Sequence, residues 1–176
     1  MADLTFNTVS GQTIDRELLI LFLNTGSVSS PVWSPLGSHV SDSSEEIDWS
    51  RESETDILGK VRTTMRKPVI TQTFDPLPLD AGDAAAVKLW NLAIKDQDYA
   101  ALAAQEILVV HRYAGEATSF FAEHYDGASF EATGLGGEGG AQITMPITVT
   151  YGGTRTTGTA TKSGDTYTFT AEGDEE

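Results

Sequence analysis

No cysteine occurs among the 176 residues, so no disulfide holds the chain together, and thiol usage says nothing about its redox compartment. Basic residues are scarce: 11 Lys and Arg stand against 26 Asp and Glu, a formal net charge of −15. A surface of that sign repels nucleic acid and argues against sequence-reading DNA binding. It also keeps copies of the chain apart unless specific contacts overcome the repulsion. Long apolar runs are missing: the longest, Leu18 to Leu23, is far too short to span a bilayer. The N-terminus, MADLTFNTVSGQTID, lacks the basic region and apolar stretch of a signal peptide. The length suffices for one domain with a sizeable core.

Constellations for chemistry are equally sparse. His39, His111 and His124 lie far apart in the chain, and His111 sits within an apolar run where a packed or partner-facing role is the default. The pair Glu123-His124 is the residue type used for acid–base work or metal ligation, but one isolated pair does not define a site. Asp42, Glu45, Glu46 and Asp48 are hard-cation ligands by type; they lack the EF-hand spacing and read as a solvated acidic face. The glycine loop Gly134 to Gly140 is followed by neither a Lys-Ser/Thr pair nor a helix, so it is no phosphate cradle. Ser10-Gly11 and Ser163-Gly164 lack a nucleophile-elbow context. Trp33, Trp49 and Trp90 are patterned for core or interface positions rather than a sugar platform. No catalytic residue, metal ligand or cofactor site is predicted.

What the chain does have is a charge-separated segment, Ser43 to Lys67. Acids fill its first half (Glu45, Glu46, Asp48, Glu52, Glu54, Asp56), bases its second (Lys60, Arg62, Arg66, Lys67), and Ile57-Leu58-Gly59 makes an apolar centre. Centred on Leu58, a β-hairpin sets Asp56 opposite Lys60, Glu54 opposite Arg62 and Ser50 opposite Arg66 on one face, with Ile47 opposite Val69 on the other. Opposite-charge cross-strand pairs contribute roughly 0.2–1 kcal/mol each. An exposed apolar tip marks a contact that another protein covers. Val69 to Phe74 completes the second strand.

Glu17 to Asn24 and Glu106 to Tyr113 read as strands covered on both faces. Val32 to Gly37, interrupted by prolines, is an edge strand at best. A helix is predicted from Ala84 to Lys95, capped by Asp83 or Asp80, with Val87, Trp90 and Ile94 at helical spacing, joined by Leu89 and Ala93, and with Trp90 buried; a short second helix follows within Asp96 to Gln105. From Ala114 the pattern is all-β, with an alternating strand from Ile143 to Tyr151, a turn at Gly152-Gly153, a returning strand Thr154 to Lys162, and a last turn at Ser163-Gly164-Asp165. The organisation is an N-terminal arm (1–15), one domain (16–170) and an acidic tail (171–176). Seven to nine strands with one helical excursion make a mainly-β sandwich or barrel with a flanking α-helix and a long protruding hairpin.

The ordered motifs WSP, DWS, DILG, TQTFDP and TYGG, spread between Leu18 and Thr170, resemble the major tail tube proteins of long, non-contractile-tailed bacteriophages. The resemblance implies a tail-tube-type β-sandwich subunit. Six copies form a ring, rings stack into a hollow tube, and inner strands join into a continuous barrel around a lumen through which double-stranded DNA passes during ejection, without specific binding. Implied partners are further copies, double-stranded DNA in transit, and the tape measure, terminator and distal tail proteins, in a virion assembled in the host cytoplasm and without a membrane. On this reading Asp56, Ile57, Leu58, Lys60 and Arg62 form an inter-ring interface, and Glu45, Glu46 and Asp48 face the lumen or the seam between rings. Two alternatives differ in assembly: a single-ring tail terminator or distal tail component, and a monomeric Ig-like binding module.

Overall fold

The runs LILFLN and EILVVHRY lie side by side as antiparallel strands whose two faces both carry large aliphatic side chains. The computed structural model describes residues 4–173, in which the strands are β1 (Leu19–Asn24), β2 (Trp33–Pro35), β3 (Glu45–Asp48), β4 (Glu52–Thr55), β5 (Val61–Thr64), β6 (Val69–Phe74), β7 (Gln105–Gly115), β8 (Ser119–Ala132), β9 (Ile147–Tyr151), β10 (Arg155–Ser163) and β11 (Thr166–Ala171). The helices α1 (Ala84–Trp90) and α2 (Tyr99–Leu102) are joined by a π-helical turn at Asn91–Lys95. The expected mainly-β architecture with one helical excursion is present, with more strands than the pattern showed.

Two cores form on opposite faces of the β1–β7 pair. Leu21, Leu23, Ile107 and Val109 point into the larger core, with Phe74, Leu77, Leu89, Phe130, Met145, Ile147 and Val149. Phe22, Leu108 and Val110 point into the smaller, with Trp33, Phe120 and Ala160. This double coverage explains why neither run alternates with polar residues. The strand order β2-β1-β7-β8-β10-β11 curls over the smaller core, where Tyr167 of β11 lies 4.7 Å from Phe22. The order β8-β9-β6-β3 closes the larger core from the other side.

The long strand β8 belongs to both sheets, and here the sequence expectation needs correction. Gly152-Gly153 is not a hairpin turn. β9 and β10 do not pair with each other; both run antiparallel to β8, β9 along Ser129–Ala132 and β10 along Ser119–Tyr125. The two glycines are a kink within one nearly continuous strand. A Cβ on Gly127 would sit 3.0 Å from Gly153 Cα, and one on Gly152 would sit 2.6 Å from Gly127 O. Glycine inside a strand marks such close backbone approach. The expected strand Ile143–Tyr151 is likewise shorter, beginning at Ile147. Before Pro146 the chain instead pairs Thr144 with Pro78 and Gly136.

The predicted hairpin also divides in two. Its outer part keeps the expected register, with Glu52 opposite Thr64 and Glu54 opposite Arg62. Ser50 then turns to φ 44°, and the inner part resumes one residue out of step: Asp48, not Ile47, faces Val69. β4 and β5 thus form a separate two-stranded ribbon.

Asp83 caps α1, its carboxylate accepting from Ala86 N at 2.9 Å. Leu89 is buried as expected, but the residues buried with it are Ala85 and Ala86 rather than Val87 and Trp90. Small alanines let the helix approach the core closely; Val87 is exposed, and Trp90 and Ile94 are half-buried against it. The N-terminal arm is anchored at Thr5–Asn7: Phe6 bridges Ala114 and packs edge-on at 5.3 Å against Tyr113. Met1–Asp3 of the arm and Asp174–Glu176 of the predicted tail lie outside the described residues.

Leu23 is fully buried, so Leu23→Ala leaves a cavity and lowers the unfolding free energy by about 2–5 kcal/mol. Val87→Ala changes it by no more than about 0.5 kcal/mol, as expected for an exposed position. Urea denaturation of both variants checks the assignment of the helix faces.

Candidate assembly surfaces

Two surfaces gather the residues that the sequence singles out, and a third emerges from the pairing of the strands. The first is the outer face of the sheet β8-β9-β6-β3. Registers align Glu46, Thr71, Thr150 and Ser129 in one row across the sheet, and Thr73, Thr148 and Glu131 in the next. Thr73 Oγ1 and Thr148 Oγ1 are 3.3 Å apart. Strand alternation sends Gln72, Phe74, Ile147, Val149 and Phe130 inward, leaving a face of threonines and acids with no Lys or Arg in those rows. At its β3 margin a cleft of about 240 Å³ is lined by Asp42, Glu46, Thr71, Thr73 and Asp75. The sheet has two open edges: among the described residues no strand pairs with the outer side of β3, and none with the far side of β8 beyond Ala128.

The expected group Glu45, Glu46 and Asp48 does not share a face. Glu46 and Asp48 are exposed, whereas Glu45 turns to the core side, where Tyr151 Oη donates to it at 2.9 Å. Period-two alternation within β3 separates them.

The second surface is the β4–β5 ribbon. Every residue of both strands is exposed. Its turn is held by Asp56, whose Oδ1 accepts from Leu58 N and Lys60 N, both at 2.9 Å, with Gly59 at φ 74°. That local bonding presents Ile57 and Leu58 to solvent at 103% and 87% exposure. The expected ion pairs Asp56–Lys60 and Glu54–Arg62 do not close, although Glu54 and Arg62 are opposed. The ion pair along the ribbon is Arg66–Glu52 at 3.1 Å, a diagonal pair, since Glu52 opposes Thr64 two residues before Arg66. Exposed pairs of this kind contribute about 0–1 kcal/mol.

The third surface was not legible in the sequence. A groove of about 500 Å³ opens at the ribbon's base, with Ile47, Trp49, Ile70 and Tyr151 on one wall and Glu123 and Arg155 on another. Ile47 and Ile70 oppose each other, and Ile70 opposes Tyr151, so the groove is the core-facing side of the sheet continuing past the point where the second sheet covers it. Glu123 anchors its polar wall. It accepts from Arg155 Nε at 2.6 Å and Tyr125 Oη at 2.7 Å, and lies 3.0 Å from His111 Nε2. Burial pushes its carboxyl up, but the hydrogen bonds from His111, Arg155 and Tyr125, with the Arg155 charge, overcome this and hold it at about 2, below the ordinary 4.5. Burial and then Glu123 push the Tyr125 phenol up; burial and then Glu45 do the same to Tyr151.

Glu123 therefore works with His111 across the β7–β8 pair, not with its sequence neighbour. His124 turns to the opposite face, 5.7 Å from the Trp33 ring and 5.6 Å from that of Phe169. The only trace of this network in the sequence is the Glu123-His124 dipeptide, and it names the wrong histidine.

No family model matches the chain, and no curated protein matches it. Among solved structures it is similar to the tube-terminating cap of the anti-feeding prophage, at 14% identity and a TM-score of 0.49 over 89% of this chain and 96% of that one. It is also similar to a chain of the sheath–tube complex of the PVC extracellular contractile injection system in its extended state, at 10% identity and a TM-score of 0.46 over 84% and 93%. A chain of that system's sheath/tube terminator, again extended, gives 10% identity and a TM-score of 0.49 over 85% and 99%.

The Glu123 carboxyl is held down on folding, so its contribution to stability is complete above its unfolded value near 4.5 and is lost as pH falls toward about 2. Glu123→Gln removes that contribution. The stability difference between wild type and Glu123→Gln should be largest above pH 4.5 and shrink as pH drops toward 2, read by denaturant midpoints across that window.

Proposed function

We propose that this chain is a structural, non-enzymatic subunit that forms a ring in a phage-tail-like tube. The observation that carries the reading is the four-stranded sheet β8-β9-β6-β3, open at both edges and lined outside by threonine and acid. An open edge is a template for pairing with another chain. Copies joined from the β3 edge of one to the β8 edge of the next make a heterologous contact, and such contacts close into a ring when the rotation permits. The threonine–acid face then becomes the wall of the bore, with Glu46, Asp48 and Glu131 on it. DNA carries one negative charge per about 1.7 Å of axis, so that wall repels a duplex in transit and gives it nothing to stick to.

A single ring that closes the end of a tube is the form we take first; the chains named above are a tube-terminating cap and a sheath/tube terminator in their own particles. A stack of identical rings is the second, favoured by the resemblance of the DILG, TQTFDP and TYGG motifs to major tail tube proteins. In either form the β4–β5 ribbon, with Ile57 and Leu58 at its tip and Asp56, Lys60 and Arg62 around it, is a contact to a neighbouring subunit. Other tail proteins are its remaining partners, and the particle is its location.

Negative-stain electron microscopy of the purified chain tests this. Rings of constant bore are expected; discrete rings favour the terminal form, tubes the stacked one. Monomers at every concentration, up to the highest attainable, would overturn both.

A further inference from the structure

The two open edges of the sheet β8-β9-β6-β3 fit each other in one register, and we propose that copies join in it. Glu45 to Asp48 of one copy run antiparallel to Ala132 to Ser129 of the next, which sets Glu46 directly opposite Glu131 and makes the seam a contact opposed by like charge. This rests on the ring-forming reading and adds to it the polarity, the register and the residues that limit assembly.

Polarity follows from topology. Every neighbouring pair in the sheet is antiparallel, so β3 and β8 at its two margins point in opposite directions. Rotation about the bore axis keeps each strand's direction along that axis. β8 of one copy therefore meets β3 of the next antiparallel.

Register follows from which backbone groups are unpaired. Thr133 N donates to Pro146 O at 2.9 Å, which sets the phase of the β8–β9 ladder. Alternate residues bond β9, and those between, Phe130 and Ala132, turn their N–H and C=O to the free side. Carried through the β9–β6 and β6–β3 registers, the same alternation turns Glu45 and Ile47 outward on β3. Pairing Ile47 with Phe130 and Glu45 with Ala132 satisfies every one of them. Moved two residues one way, the register sets Ile47 against Ala128, which is already paired with Gln105. It also sets Ser43 against Ala132, although Arg16 Nε already bonds Ser43 O at 3.0 Å. Moved two residues the other way, it leaves Glu45 and Phe130 without a partner in the opposing strand. A shift of one puts core-facing residues opposite bore-facing ones.

The consequence lies on the bore face. Glu46 and Glu131, both exposed, direct their backbone bonds to β6 and β9 of their own copies. Across the seam they form a non-hydrogen-bonded pair, the closer kind, with Cα atoms about 4.5 Å apart. Like charges directly opposite destabilise a strand pair. Asp48 lies beside them, opposite Ser129, and Asp42 and Asp75 line the cleft that Glu46 borders. No Lys or Arg stands in these rows to compensate.

The absence of cysteine gives a clean test. The Cα separation of such a pair suits a disulfide, and within one copy the two positions are three strand spacings apart, about 14 Å, so a link joins copies. Glu46→Cys/Glu131→Cys, assembled and mildly oxidised, should run as a ladder of linked oligomers on non-reducing gels that collapses with reductant. Glu46→Cys/Ser129→Cys and Asp48→Cys/Glu131→Cys, which report the two shifted registers, should give no ladder beyond the dimers of single-cysteine variants. Glu131→Gln should leave the denaturation midpoint unchanged and lower the protein concentration needed for assembly about threefold. Glu116→Gln, which removes the same charge from the exposed turn between β7 and β8, should lower it less. If microscopy shows rings but a shifted pair links best, the register is wrong and ring formation stands; equal effects of the two Gln variants would overturn the acid pair. If no assembly occurs under any condition, the ring reading falls and this seam with it.

Discussion

The close passage of Gly127 against Gly152 and Gly153 is the constraint on which the rest of the molecule depends. At that point a ribbon of β8 and its partner strand passes from one sheet into the other. A Cβ at any of the three positions would meet backbone, so the crossing exists only as glycine on glycine. On one side of it the ribbon helps enclose the smaller core, and on the other it becomes one margin of the threonine–acid sheet. Because that sheet turns away from its neighbour, its two edges lack a strand partner among the described residues. Tyr125 and Tyr151, 5.1 Å apart, fill the wedge where the sheets diverge, and the groove opens beyond them.

Electrostatics then selects how copies meet. A net charge of −15 opposes any contact that does not place bases opposite acids. The few bases are not evenly spread: Lys60, Arg62, Arg66 and Lys67 fall within one short stretch, and Arg155 stands beside it. The acids Glu46, Asp48 and Glu131 occupy a face without a base in its rows. A surface divided in this way keeps positive charge off the open face. In the proposed ring the driving force is backbone hydrogen bonding along the unpaired edges, since each such edge is a row of donors and acceptors.

What the sequence revealed follows from locality. The strands β1 and β7 were evident because burial on both faces writes itself as an unbroken apolar run. The outer ribbon register was evident because a tight turn at Asp56–Gly59 fixes pairing over the next few residues. The single-residue slip at Ser50 was not, since a positive φ at serine has no pattern signature. Gly152-Gly153 misled for a related reason: a glycine pair marks a turn and a kink alike, and only the partner Gly127, distant in the chain, decides between them. The helix face was legible at Leu89 but not at Ala85 and Ala86, because bulk drew attention to Val87 and Trp90 while the core required close approach. Glu123, Arg155 and Tyr151 lie on three strands, so their convergence becomes visible only once those strands are paired.

The central claim is that copies join through the outer side of β3 and the far side of β8 past Ala128, closing a ring around the threonine–acid face. Amide hydrogen exchange compared between dispersed and assembled protein measures this most directly. Strong slowing on assembly is expected at Glu45–Asp48 and at Ser129–Ala132, with little change in the already paired β7. Assembled rings in which both segments exchange as fast as in the dispersed chain would contradict it.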